Sequence, residues 1–273
     1  MEFIDLYGPL ILLMLATGLV GGVMAGLMGI GGGIVIVPVL EFALGLLGVD
    51  PAIRMHVAVG TSLATIIPTS ISSARAHHKR GAVDFALAKV WGPTIFIGAA
   101  GGAWLAAQVE STVLTAIFAV VALFVATKMI LPLEKFRLAE RVPGGLIGPV
   151  FPGIIGAVST MMGIGGGALS VTTLTIFNVP IHRAVGTAAF FGLLIAVPGT
   201  IGFMLTGQGN LMLPPGSIGF VNGIGFLILS PATFLAAPLG VRIAHALSQR
   251  QLSMIFGAFL MIVAVRMLYK TFI

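Results

Sequence analysis

Met28-Gly29-Ile30-Gly31-Gly32-Gly33 occurs a second time, letter for letter, as Met162-Gly163-Ile164-Gly165-Gly166-Gly167. Each copy is embedded in apolar sequence. Glycine lacks a Cβ and adopts backbone conformations closed to other residues. A glycine run inside an apolar segment therefore predicts a break in a membrane helix. Matched breaks in the two halves of a chain point to a transporter's substrate site.

The surrounding sequence fixes the class. Hydrophobic residues make up 58% of the chain and charged residues only 8%, against about 25% charged in ordinary soluble domains. Apolar stretches of roughly 20 residues, the length that crosses a bilayer, recur from end to end. The chain reads as an all-α polytopic membrane protein, its partner the lipid bilayer. No polar stretch is long enough for a soluble domain. Pro9 to Met28 runs straight into the first glycine break with no basic region before it, unlike a cleavable signal peptide. The absence of cysteine excludes disulfides and thiolate metal sites.

Ten apolar segments can be drawn, over 9–28, 34–48, 57–76, 83–108, 112–132, 143–161, 168–180, 184–206, 217–241 and 251–270. Segments 34–48 and 168–180 are short for a crossing, and each follows a glycine run. They read as half-helices or re-entrant segments. Further matches between the halves appear in the same order. Ala58-Val59-Gly60-Thr61 pairs with Ala184-Val185-Gly186-Thr187, Pro93 with Pro231, Gly102 with Gly240, and Lys128-Met129 with Arg266-Met267. The chain is thus read as a duplication, with repeats over 1–138 and 139–273. Five segments per repeat is an odd number, so the repeats should be inverted. Parallel repeats of four, made by merging the first two segments of each, are the alternative.

Charge placement gives an orientation. Arg75, Lys79 and Arg80 mark one loop as cytoplasmic, and Lys135, Arg137 and Arg141 mark the central loop likewise. The uncharged stretch Thr206 to Pro215 reads as outside. This is the pattern of a multi-pass protein in a bacterial-type inner (plasma) membrane. From Val142 onward the chain carries Arg183, Arg242, Arg250, Arg266 and Lys270 but no carboxylate. That balance favours an anionic substrate.

The candidate site residues follow from these features. Gly31, Gly32 and Gly33, with Gly165, Gly166 and Gly167, would let a ligand approach bare backbone. Each run opens a helix whose N-terminal amides attract an oxyanion. Thr61, Ser62 and Thr187 would add hydroxyl donors, unless they bond to the preceding helical turn. Arg54, His56, His182 and Arg183 stand at helix entrances and would draw anions, or they snorkel at the interface. Glu41, a carboxylate inside a short apolar helix, is the candidate for proton coupling. Gly18, Gly22 and Gly26 have helix-packing spacing. Pro68 and Pro198 would kink a helix in each half. His77-His78 beside Lys79-Arg80 reads as a charge cluster. No catalytic, metal-binding or dinucleotide motif appears, and no cofactor, metal or nucleic-acid partner is expected.

The phrase from Gly21 to Val39 followed by Val59-Gly60-Thr61-Ser62, repeated as Gly163 to Gly167 with Val185-Gly186-Thr187, resembles the TauE/SafE family of membrane permeases. The family is also known as sulfite exporters or toluene sulfonate uptake permeases. The resemblance covers nearly the whole chain. It implies a secondary transporter, not an enzyme, for sulfite, sulfoacetate or other organosulfonates. Ala188 stands where the first copy has Ser62, so the halves need not contribute equally. A sulfonate is a tetrahedral oxyanion that helix N-termini and hydroxyls can hold and release. Alternating access, with proton coupling as an added expectation, is the leading reading. A passive anion channel of the same fold is the alternative. A homodimer is consistent with either.

Overall fold

A computed structural model describes residues 2–29, 31–131, 148–244 and 248–272. Lys135, Arg137 and Arg141, expected to mark a cytoplasmic loop, and the expected boundary at 138/139 lie outside the described residues. Ten helices and one two-stranded hairpin make up the described chain. They are α1 (Glu2–Met28), α2 (Gly33–Leu46), α3 (Pro51–His78), α4 (Phe85–Ala106), α5 (Ser111–Ile130), α6 (Val150–Met161), α7 (Gly167–Ile176), α8 (Ile181–Thr206), β1 (Ser217–Ile218), β2 (Val221–Asn222), α9 (Gly223–Ala244) and α10 (Gln249–Phe272). Five of these helices are long and apolar enough to cross a membrane.

The short helices expected after the glycine runs are α2 and α7. Other boundaries differ from the sequence reading. α3 starts at Pro51, because the Asp50 side chain caps it by accepting from the Ala52 amide at 2.8 Å. Arg54 and His56 therefore lie within the first turns of α3, not before it. His182 and Arg183 likewise sit in the first turn of α8. The segment read as starting at 217 opens with the β1–β2 hairpin, and α9 begins only at Gly223.

The surface is more apolar than that of a water-soluble protein, and the apolar core also holds many hydroxyls. Leu12, Val90, Ile97, Leu227, Leu235 and Ile262 are each two-thirds or more exposed. Thr61, Thr65, Thr69, Ser159, Thr160, Ser170, Thr187 and Thr233 are fully buried. An apolar rind over a hydroxyl-rich interior is what a bilayer solvent selects.

The helices form two sheaves. α1, α3 and α9 run one way: Gly18, Gly22 and Gly26 meet Ala232, Thr233 and Ala237 in turn, while Thr61, Thr69 and Arg80 bond Asn222, Thr233 and Val241. α4, α6 and α8 form the other: Gly98 and Gly102 meet Gly153 and Ala157, and Gly92 and Ala103 meet Leu194 and Gly202. α3 and α8 lie antiparallel at the centre, with Leu63 against Gly199 and Ser70 against Gly192. α5 packs on α10. Exchanging the two halves maps this set of partnerships onto itself: α1–α9 becomes α6–α4, and α3–α9 becomes α8–α4. The small residues do the packing expected of them. A Cβ at Gly22 would lie 2.5 Å from the Thr233 carbonyl oxygen, so the backbones touch only because none is there.

Candidate functional site

The two glycine runs meet. A Cβ built on Gly31 would fall 3.3 Å from the Gly165 Cα, and one on Gly33 would fall 3.0 Å from the Ile164 Cα. Gly31 also abuts Ile66 and the Gly165 carbonyl faces Gly192, so the breaks lie beside the middle turns of α3 and α8. Gly32 and Gly166 carry φ of 78° and 70°, a left-handed backbone that favours glycine. They cap α2 and α7, and neither cap supplies a side-chain hydrogen bond. The first amides of both half-helices have no preceding helical turn to accept them. Two helix N-termini thus converge on one central region.

The other expected residues fall into different places. Ser62 stays at the centre, its Oγ donating to the Gly163 carbonyl at 2.8 Å. Thr61 Oγ1 accepts from the Asn222 amide at 2.8 Å, and Thr187 Oγ1 accepts from the Asp84 amide at 2.9 Å. Asn222 and Asp84 in turn cap α9 and α4 by accepting from the Gly225 and Leu87 amides. Each threonine therefore anchors a helix start contributed by the opposite half.

The basic residues and Glu41 lie away from the breaks. At one end, the buried His56 Nε2 sits 3.1 and 3.2 Å from the carbonyls of Ala106 and Val109, closing the C-terminus of α4. Arg54 donates from Nε and Nη2 to the Val49 carbonyl and stands 3.8 Å from Glu41. Glu41 is thus held between α2 and α3, about two turns beyond the glycines. At the opposite end, the exposed Arg183 pairs with Asp84 at 2.9 Å. His182 is exposed beside it.

A second group of side chains lies on the helices that flank the second break. The hydroxyls of Ser70, Ser159, Thr160, Ser170 and Thr200 are buried, and none has a hydrogen-bond partner among the described residues. An unmet buried hydroxyl costs about 1–3 kcal/mol. Elsewhere in the chain the same residue types bond back one turn, as Thr65, Thr69, Thr173 and Thr175 do. Ser159 Oγ lies 3.3 Å from the Cβ position of Gly166, Ser70 Oγ lies 2.5 Å from that of Gly192, and Ser170 is one turn into α7.

The family model for the sulfite exporter TauE/SafE matches residues 14–267. The chain belongs to the TauE/SafE family. A "Probable membrane transporter protein" of Haemophilus influenzae is 34% identical over 260 residues, covering 95% of this chain and 98% of its own length. A protein of the same description from Bacillus subtilis is 26% identical over 282 residues, covering 94% and 97%. One from Methanocaldococcus jannaschii is 25% identical over 270 residues, covering 94% of each. No solved structure matches. The TauE/SafE assignment makes this chain a multi-pass membrane protein of a transporter family.

In this TauE/SafE protein the unpaired hydroxyls carry no motif and are not shared by both halves, so repetition in the sequence does not single them out. The signal was present in the differences. In the register of the glycine runs, Ser159 and Thr160 stand where the first half has Ala25 and Gly26, and Ser170 where it has Ile36. In the register of the Ala-Val-Gly-Thr pair, Thr200 matches Ala74 and Ser70 matches Ala196.

Proposed function

We propose that the protein is a secondary transporter that moves small sulfur-containing anions, such as sulfite, sulfoacetate or other organosulfonates, by alternating access. The observation that carries this reading is the meeting of the two glycine breaks beside the midpoints of α3 and α8, each opening a half-helix with uncapped amides. An oxyanion is stabilised there by partial charge alone, with no buried cation to trap it. The antiparallel placement of α3 and α8 supports inverted repeats, the arrangement that lets one central site face either side. Arg75, Lys79, Arg80 and Arg242 gather near the end where α3 and α9 finish. We assign that end to the cytoplasm of a plasma membrane.

Glu41 is the carboxylate assigned to proton coupling. It is partly buried in a half-helix, and its protonation would break an ion pair that joins α2 to α3. Uptake of radiolabelled sulfite and sulfoacetate into liposomes, with and without a proton gradient, tests the reading. Saturable, gradient-driven flux is the expected result. Unsaturable flux makes the protein a passive channel.

A further inference from the structure

We propose that the oxyanion is held on one side only, by the hydroxyls of Ser159, Ser170 and Ser70 around the second break, while the first break is a packed structural counterpart. The inference rests on the reading above, that this chain moves a sulfur oxyanion.

The two breaks share a backbone but not their surroundings. Beside Gly31 the neighbouring central helix presents Ile66, whose Cγ2 lies 2.8 Å from the Gly31 Cβ position. At the matching place beside Gly165, α8 presents Gly192, and its next side chain toward the break is Ile195, which meets Gly166. Ser70 Oγ and the Gly165 carbonyl both approach Gly192, at 2.5 and 3.3 Å from its Cβ position. Ser159 Oγ approaches Gly166, the N-cap of α7. Ser70, Ser159 and Ser170 are 1% exposed or less, and their oxygens have no partner among the described residues. Around the first break, the matching positions Ala25, Ile36 and Ala196 carry no hydroxyl. The polar residues that do lie there are spoken for: Ser62 donates to Gly163 and Ser73 to Ala25.

Unsatisfied hydroxyls are disfavoured in an apolar interior unless a ligand completes them. The ligand class follows from their setting. They flank a helix N-terminus, which favours negative charge, and a sulfite or sulfonate head group offers three oxygens to as many donors. No carboxylate is among these residues to favour a cation instead. A one-sided site also explains why duplicated halves keep identical glycine runs while differing beside them.

Transport kinetics in proteoliposomes test this, with sulfite and sulfoacetate as probes, with and without Na+. Ser159→Ala and Ser170→Ala should each raise the KM for the anion about ten-fold or more, as loss of a hydrogen bond to a charged group does, with a much smaller change in maximal rate. Ser170→Thr, which keeps the hydroxyl, should restore a KM near wild type. Thr65→Ala and Ser73→Ala, whose hydroxyls are satisfied by backbone, should leave KM within about two-fold of wild type. If wild type transports and both alanine variants keep its KM, the one-sided site is wrong and the transporter reading stands. A changed Na+ dependence with unchanged anion KM overturns it in favour of a cation site. A wild type that moves neither anion overturns the transporter reading and this inference with it.

Discussion

Ser62 donates its hydroxyl to the carbonyl of Gly163 across 2.8 Å, so the central helix of the first half carries the backbone of the second half's break. The corresponding residue of the second half is Ala188, which returns no such bond. Ser62→Ala leaves a buried carbonyl oxygen unmet and should destabilise the protein by about 1–3 kcal/mol. Thermal unfolding in detergent should show the loss. The anion KM should move little, because the bond is internal to the scaffold.

Gly166→Ala is expected to cut transport at least about ten-fold. A left-handed backbone costs an L-residue roughly 1–2 kcal/mol, and the new Cβ would press on Ile195 and on Ser159. Membrane insertion, followed by expression level and gel filtration, should persist. Normal flux in this variant would reduce the glycines to packing elements.

Thr187→Val and Thr61→Val should behave alike, since each removes the acceptor for a helix-start amide in the opposite half. Each variant should lose about 1–3 kcal/mol of stability. Equal losses, read by thermal unfolding, support the anchoring role. A selective rise in anion KM without loss of stability would return these threonines to the substrate.

Glu41→Gln should abolish the response of uptake to a proton gradient while leaving the anion KM within about two-fold, because Glu41 lies two turns from the breaks and faces Arg54. Counterflow exchange, which needs no gradient, should survive. Undiminished gradient-driven uptake in this variant would remove Glu41 from the coupling step.

The sequence made some of this legible and hid the rest for physical reasons. Glycine runs announce helix breaks wherever they occur, so α2 and α7 were readable, as was the packing of Gly18, Gly22 and Gly26. The start of α3 is hidden because Arg54 and His56 interrupt the apolar run, although Asp50-Pro51 is a helix-start signal. The β1–β2 hairpin has two-residue strands, too short for any alternation to show. Thr61 and Thr187 stood out by repetition, yet repetition marked a scaffold bond. Ser159 and Ser170 break the repetition, and a hydroxyl's partner is set by tertiary neighbours that lie far away in the chain.

The pairing of α1 with α9, and of α6 with α4, sets an order on biosynthesis. α1 is made well before α9, its packing partner, so its notch of small residues stays unfilled until α9 has been inserted. Either half alone could make these contacts only with a second molecule. Carried on one chain, they form within a single molecule.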